Sequence, residues 1–147
     1  EEVKKAYEKG KLNRNVIIVV RNQGPKANGM PELHSLTPML SNVQDLGFKV
    51  ALLTDGRMSG ASGKILAAIH VTPEAIDNGV IGKIEDDDEI EIDANNGKLN
   101  ILTDISKRKN SLLNDMKKNQ SFGRNIFNTL RFHSQGSEEG GGIKLID

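Results

Sequence analysis

The sequence FKVALLT at residues 48–54 runs directly into the sequence DGRMSGASGK at residues 55–64. We predict a strand for the first segment and a loop rich in small residues for the second. A continuous β-branched run, VIIVV at residues 16–20, predicts another strand, buried on both of its faces. A Gly- and Pro-rich loop follows it at residues 22–31. Because ligands commonly bind where the strands of an α/β sheet end, the two loops predict a cleft.

The rest of the chain carries shorter helix and strand signals. Residues 89–93 and 98–102 alternate polar with apolar positions around Asn95-Asn96-Gly97, which predicts a β-hairpin. The other predicted elements are a polar helix at residues 1–9 ending near Gly10, a short helix with Pro31 in its first turn, an apolar helix or strand at residues 65–71, a helix with Thr72 as N-cap and Pro73 at its first position that ends at Asn78-Gly79, and two amphipathic helices at about 104–118 and 122–132.

These elements indicate the fold class. Strands and helices do not alternate regularly, and a hairpin lies in the middle of the chain, so we predict a compact α/β domain with a mixed sheet rather than a doubly wound parallel one. A chain of 147 residues has the usual size of one domain. Within it we predict an entry helix or linker at residues 1–12 and a loose Gly-rich tail at residues 134–147.

Composition excludes several classes of protein. Lys plus Arg number 20 and Asp plus Glu number 20, so no net charge favours nucleic acid or an anionic membrane as a partner. The absence of cysteine excludes disulfides, thiolate metal ligands and a thiol nucleophile within this chain. No signal peptide or long apolar run is present, and we expect a cytoplasmic protein. The chain opens in helical sequence without an initiator Met, so we expect it to be a piece of a longer protein.

The first loop, GPKANGMPELH at residues 24–34, combines small and rigid residues with one carboxylate, Glu32. Two interpretations of Glu32 stay open from the residues alone. It either complements the dipole at the start of a helix or serves as a ligand for a hard cation. His34, taken alone, is typical of a hydrogen-bonded structural histidine.

The second loop contains Ser59, Gly60, Ala61 and Ser62, which let backbone approach a ligand closely and whose N–H groups could cradle an anion. It is not a Walker A motif, because Ala61 stands where Gly is required and Lys64 is not followed by Ser or Thr. The alternative interpretation is a plain strand-to-helix turn with Ser62 as N-cap.

Both loops resemble signature segments of the dihydroxy-acid dehydratase and 6-phosphogluconate dehydratase family. The resemblance continues through AAIHVTPEA at residues 67–75 and GRNIF at residues 123–127, and it covers about residues 10–140. Within the family, MPELH at residues 30–34 with LTP at residues 36–38 is similar to the sugar-acid branch. The resemblance implies the C-terminal domain of a hydro-lyase that converts 6-phospho-D-gluconate to 2-dehydro-3-deoxy-6-phospho-D-gluconate and water in the Entner–Doudoroff pathway.

The same resemblance implies cofactors and partners. An iron–sulfur (4Fe-4S) cluster would be held by cysteines of an N-terminal domain that this chain does not contain, and Mg²⁺ would be shared between the two domains. The N-terminal domain and 6-phosphogluconate are the expected partners, and the full-length enzyme is expected to be a homodimer. This chain alone is expected to bind no cofactor and to be inactive.

Individual residues take roles by the resemblance. Ser59 matches the serine that removes the C2 proton, and Glu32 matches the Mg²⁺ ligand from the C-terminal domain. The resemblance assigns no role to the other polar residues of the second loop, and Arg57, Ser62 and Lys64 are candidates to hold the substrate's carboxylate or 6-phosphate because they lie near Ser59 in the sequence. Asp55 is expected either to orient Arg57 or to approach the metal.

The fold implied by the resemblance is a swivelling β/β/α domain with a barrel-like sheet. Two alternatives in function stay open. The parent protein could act on another sugar acid or on a branched-chain dihydroxy acid, or the chain could be a non-catalytic binding module that retains the fold.

Overall fold

The computed structural model describes residues 1–59, 63–110 and 127–144. Five strands and four α-helices lie in these ranges, with short 3-10 turns at His34–Leu36, Ala75–Asp77, Val80–Lys83 and Ser137–Glu139. The strands are β1 (Val16–Val20), β2 (Val50–Thr54), β3 (Leu66–Ala68), β4 (Ile90–Asp93) and β5 (Lys98–Ile101), and the helices are α1 (Glu2–Glu8), α2 (Pro25–Asn28), α3 (Thr37–Asp45) and α4 (Asn128–His133).

A parallel sheet in the order β1-β2-β3 organises the domain. Val20 pairs with Thr54 at the ends of β1 and β2, and Leu53 pairs with Ala68 at the ends of β2 and β3. Since the three strands run in the same direction, the segments that follow them lie along one edge of the sheet. This edge carries both of the loops that the sequence singles out.

The central strand β2 is buried along its whole length, as its apolar sequence requires. Its side chains alternate between two apolar clusters, with Val50 and Leu52 in one and Leu53 in the other. Strand β1 was predicted to be buried on both faces, and this is wrong in detail. It is an outer strand that pairs with β2 on one side, and only Ile18 is buried while its neighbours in the strand are half-buried.

The predicted hairpin is confirmed as β4 and β5, which pair antiparallel from Ile90 with Ile101 to Asp93 with Lys98. Gly97 takes a φ of +63°, as predicted for the turn. Asp93 stabilises the turn by accepting the backbone N–H groups of Asn95 and Asn96 at 3.0 and 3.1 Å.

The α/β class is confirmed, whereas the predicted mixed, barrel-like sheet is not. Parallel and antiparallel pairs form separate sheets, and no closed barrel forms among the strands of the described residues. The reason is that β4 and β5 pair with each other, while β3 completes the sheet of β1 and β2. Swivelling of the domain stays a prediction.

Two helix starts were predicted wrongly, because contacts distant in sequence decide them. Pro31 does not begin a helix, since Glu32 forms a parallel bridge with Arg57 and is therefore extended. Pro38 lies in the first turn of α3 instead. Thr72 caps no helix, because the turn Ala75–Asp77 is preceded by Glu74 and the N–H of Ala75 is bound by Asp55 at 3.0 Å.

Three further predictions have mixed outcomes. The apolar segment at residues 65–71 contains a strand, β3, and not a helix. Residues 104–110, where a helix was predicted, are not helical, because Arg108 turns back to form an ion pair with Asp88 at 2.5 Å. The helix predicted at residues 122–132 is represented by α4, while residues 111–126 lie outside the described part of the chain.

The chain after α4 closes on itself through a bridge between Ser134 and Ile143 and a hydrogen bond from the N–H of Gln135 to the carbonyl of Gly142 at 2.8 Å. How loose this segment is stays a prediction. Among the described residues, no helix has the length and apolar character needed to cross a bilayer.

Candidate functional site

The loops that follow β1 and β2 are joined by their backbones. The bridge between Glu32 and Arg57 brings the N–H of Leu33 to within 3.3 Å of the Arg57 carbonyl. The Arg57 side chain returns the contact, because its Nε donates to the carbonyl of Met30 at 2.7 Å. Met30 itself has a φ of +55°, which turns the first loop back toward the second. The two loops therefore lie together at the end of the sheet, whereas the predicted cleft between them stays a prediction.

Glu32 lies at the centre of this junction. Its Oε1 accepts the backbone N–H of Ser59 at 2.7 Å and that of His34 at 3.0 Å. Its Oε2 lies 3.6 Å from Nη1 of Arg57. The Ser59 N–H is the main reason that the pKa of Glu32 is lowered, with smaller contributions from the His34 N–H and the Arg57 charge. Glu32 is thus an ionised carboxylate, and its side chain is 36% exposed.

These contacts bear on both interpretations of Glu32. The residue itself is extended in a bridge, but its Oε1 accepts the N–H of His34, the first residue of the turn that leads into α3, so the carboxylate lies at the start of a helical segment. An accessible, negatively charged oxygen is also what a hard cation such as Mg²⁺ prefers, and the role of Glu32 as a metal ligand stays a prediction. Among the residues that the structure describes, no three His, Cys, Asp or Glu side chains group closely enough to hold a metal ion.

Ser59, the predicted base, is exposed and lies beside Glu32. The residue before it, Met58, is buried and accepts a hydrogen bond from Oγ1 of Thr37 at 3.6 Å. The serine therefore emerges at the surface directly after a residue anchored in the core. The structure brings Ser59, Glu32 and Arg57 together, and His34 contributes its backbone N–H to the same group.

The described contacts of Lys64, a predicted substrate residue, lie outside this group. Lys64 reaches the last residue of α3, where its Nζ contacts the two carboxylate oxygens of Asp45 at 2.8 and 3.0 Å. This ion pair is exposed and therefore weak. Ser62 lies outside the described residues. A role of either residue in binding substrate stays a prediction.

The prediction for Asp55 is wrong. Its carboxylate is fully buried and accepts three backbone N–H groups, from Asn22 and Gln23 at 2.9 Å each and from Ala75 at 3.0 Å. It therefore neither orients Arg57 nor faces a metal. Instead Asp55 links the end of β2 to the segments that follow β1 and β3, because its donors come from both.

Glu74 is a residue of this edge that sequence reasoning missed. It is fully buried and accepts the N–H groups of Lys26 at 3.3 Å and Ala27 at 3.2 Å, in the first turn of α2. Burial raises the pKa of Glu74, and the two N–H groups oppose that rise. The available sequence signal was Gly24 followed by Pro25, a helix start without a side-chain cap of its own.

The comparison with protein families gives one match that covers most of the chain. Residues 1–141 match the family described as Dihydroxy-acid/6-phosphogluconate dehydratase C-terminal.

Individual relatives agree with this match. The chain is 50% identical over 137 residues to the phosphogluconate dehydratase of Pseudomonas aeruginosa, which covers 92% of this chain and 22% of that protein. Identity to the phosphogluconate dehydratase of Escherichia coli K12 is 46% over 142 residues, covering 95% of this chain and 24% of that protein. A dihydroxy-acid dehydratase of Campylobacter lari is 45% identical over 113 residues, covering 74% of this chain and 20% of that protein. The chain thus spans less than a quarter of the length of these curated relatives.

Proposed function

The chain belongs to the family of dihydroxy-acid and 6-phosphogluconate dehydratases, whose C-terminal domain it matches. We propose that it is the C-terminal domain of an enzyme that dehydrates 6-phospho-D-gluconate. The observation that carries the proposal is the contact between Glu32 and Ser59, at 2.7 Å from carboxylate oxygen to backbone nitrogen. It supports the proposal because Glu32, the proposed metal ligand, and Ser59, the proposed base, are direct neighbours.

The choice of substrate within the family rests on the relatives. The phosphogluconate dehydratases of P. aeruginosa and E. coli match over 92% and 95% of the chain, whereas the dihydroxy-acid dehydratase of C. lari matches over 74%. The sequence MPELH at residues 30–34 and the following LTP support the same choice. In this proposal the product is 2-dehydro-3-deoxy-6-phospho-D-gluconate, an intermediate of the Entner–Doudoroff pathway.

The reaction removes a proton from C2 and hydroxide from C3, and the resulting enol becomes the 2-keto acid by moving a proton from its oxygen to C3. Ser59 is the proposed acceptor of the C2 proton. A serine hydroxyl is too weak an acid to be ionised at neutral pH, so it needs nearby positive charge. The guanidinium of Arg57 lies at the same junction but faces the carboxylate of Glu32 at 3.6 Å, so the stabilising charge is proposed to come from Mg²⁺ when it is bound.

The cofactors fit this chain only in part. Glu32 is a suitable ligand for Mg²⁺, which would stabilise the charge that develops on the substrate carboxylate. With no cysteine, the chain offers no thiolate for an iron–sulfur cluster, and the cluster that would assist the departure of the C3 hydroxyl would have to be held by another domain.

Arg57, Ser62 and Lys64 are proposed to bind the substrate's anionic groups. A homodimeric, cytoplasmic full-length enzyme completes the proposal.

Substrate profiling of the full-length enzyme tests this function. We expect kcat/KM for 6-phosphogluconate to exceed that for gluconate and for a branched-chain dihydroxy acid by at least about a hundredfold, because a site with cationic groups for a phosphate loses those contacts with the unphosphorylated acid. A preference for the branched-chain acid would contradict the proposed substrate but not the family. Turnover of none of the three acids by enzyme with intact cofactors would favour a non-catalytic module.

A further inference from the structure

The two carboxylate oxygens of Glu32 have different neighbours. Oε1 accepts two backbone N–H groups, one from His34 in its own loop and one from Ser59, which is 27 residues away in sequence. Oε2 faces the guanidinium of Arg57 at 3.6 Å, a distance longer than a hydrogen bond. Oε1 is therefore held by two backbone hydrogen bonds, whereas Oε2 has only a longer electrostatic contact with the guanidinium.

The bond to Ser59 is the shorter of the two N–H contacts and joins a charged acceptor to a backbone donor. Bonds of this kind are stronger than those between neutral groups. Two other attachments of the second loop lie directly before this contact. The Arg57 carbonyl is held by Leu33 and the Met58 side chain is anchored in the core, whereas Ser59 is exposed.

We propose that Glu32 is a positioning residue for Ser59, in which Oε1 fixes the backbone of the serine, while Oε2, which faces Arg57 in this structure, is the oxygen left for the cation of the proposed function. This inference deepens the proposed function and rests on it for the cation, but not for the contact with Ser59. Because Oε1 already accepts two N–H groups, Oε2 is the oxygen that would bind a cation. The metal and the serine are then held in a fixed relationship by a single side chain.

Hydrogen exchange of the full-length enzyme, measured by mass spectrometry with residue-level fragmentation, tests the positioning role. Glu32→Ala removes the acceptor, and we expect exchange at the Ser59 amide to accelerate on the order of tenfold, because a hydrogen bond to a charged group is lost. Glu32→Gln keeps one acceptor oxygen, so most of the protection at Ser59 should remain. Peptides from β2 should exchange as in the wild type in both variants, which shows that the fold is intact.

A matched control is Asp93→Ala in the hairpin. Asp93 also accepts two backbone N–H groups, but its donors are Asn95 and Asn96. This substitution should accelerate exchange in the hairpin turn and leave Ser59 unaffected.

The outcomes separate this inference from the proposed function. Unchanged exchange at Ser59 in Glu32→Ala would overturn the positioning role, whatever the metal does. Faster exchange at Ser59 in Glu32→Ala, together with an unchanged Mg²⁺ requirement in Glu32→Gln, would support the positioning role and remove Glu32 from the metal site. Faster exchange in Glu32→Ala with a lost Mg²⁺ requirement in Glu32→Gln would support both.

Discussion

Glu74 lies so close to Gly24 that a β-carbon on Gly24 would stand 2.2 Å from Oε2 of the glutamate. Gly24 has a φ of −70°, so the backbone itself does not require glycine. The glycine is needed because the buried carboxylate approaches the start of α2 from the side on which a side chain would project. This contact holds the first half of the loop that leads to Glu32.

Gly24→Ala should therefore destabilise the domain, by about 1–3 kcal/mol, as is usual when a group is forced into a packed site. Urea unfolding of the wild type and the variant measures the difference. Gly142→Ala is a suitable control, because its β-carbon would meet only the end of the Gln135 side chain, at 3.1 Å. Equal stability of the two variants would show that the Glu74 side chain can move aside.

Glu74 also predicts a dependence of stability on pH. Burial raises its pKa above the ordinary value of 4.5, so between 4.5 and the raised pKa the folded state binds more protons than the unfolded state. The contribution of Glu74 to stability must then fall as pH rises through this window. The free energy of unfolding of the wild type, measured relative to Glu74→Gln from pH 4 upward, should decrease with pH. A difference that is constant with pH would mean that Glu74 keeps an ordinary pKa.

Ser59→Ala in the full-length enzyme should lower kcat by at least about two orders of magnitude, the scale expected for loss of a positioned base. Cluster content and the hydrogen-exchange pattern of β2 should not change. Ser35→Ala provides a control, because Ser35 is also an exposed serine and lies in the turn next to His34. Retention of more than about a tenth of kcat in Ser59→Ala would exclude Ser59 as the base.

Glu32→Gln should weaken the dependence of activity on Mg²⁺ more than it weakens folding, because it preserves the size of the side chain and removes its charge. Titration of the full-length enzyme with Mg²⁺ and thermal melting of the chain measure the two effects. Glu91→Gln, in the hairpin, is the control for loss of one exposed carboxylate. A lower melting temperature with an unchanged Mg²⁺ requirement would place the metal site wholly in the other domain.

The chain of residues 1–147 should fold by itself but show no dehydratase activity. Its parallel sheet has apolar clusters that include both faces of β2, whereas it contains no thiolate and, among the described residues, no complete metal site. Circular dichroism and an assay with 6-phosphogluconate check the two parts. Turnover by this chain alone would contradict a site divided between domains.

The sequence predicted most successfully those features that depend on neighbours in the chain. Strands β1 and β2 have continuous apolar runs and the hairpin alternates polar with apolar residues, and both patterns are typical of strands. Parallel strands in one sheet also end on the same side of it. Glu32 and Ser59 were therefore predicted to be near each other through the loops that carry them. Their direct contact was not predicted, because it depends on the bridge between Glu32 and Arg57.

Asp55 and Glu74 show why the rest could not be predicted. An acidic residue in a segment that follows a strand is typical both of a catalytic group and of a buried acceptor, and the difference lies in where its hydrogen-bond donors come from. The donors to Asp55 are 20 to 33 residues away, and those to Glu74 are 47 and 48 residues away. No local pattern contains such information, and Thr72 was taken as a helix cap for the same reason.

The donors to Asp55 are all backbone N–H groups, which has a consequence for how this edge of the domain can evolve. The side chains of Asn22, Gln23 and Ala75 take no part in those three bonds, yet other features restrict what can replace them. Ala75 is buried in an apolar cluster, and Asn22 has a φ of +59°, which few residues other than Gly, Asn and Asp adopt. Proline is excluded at all three positions, because it has no N–H to donate. Variation along this edge therefore has to keep the backbone of these residues in place, together with the carboxylate of residue 55.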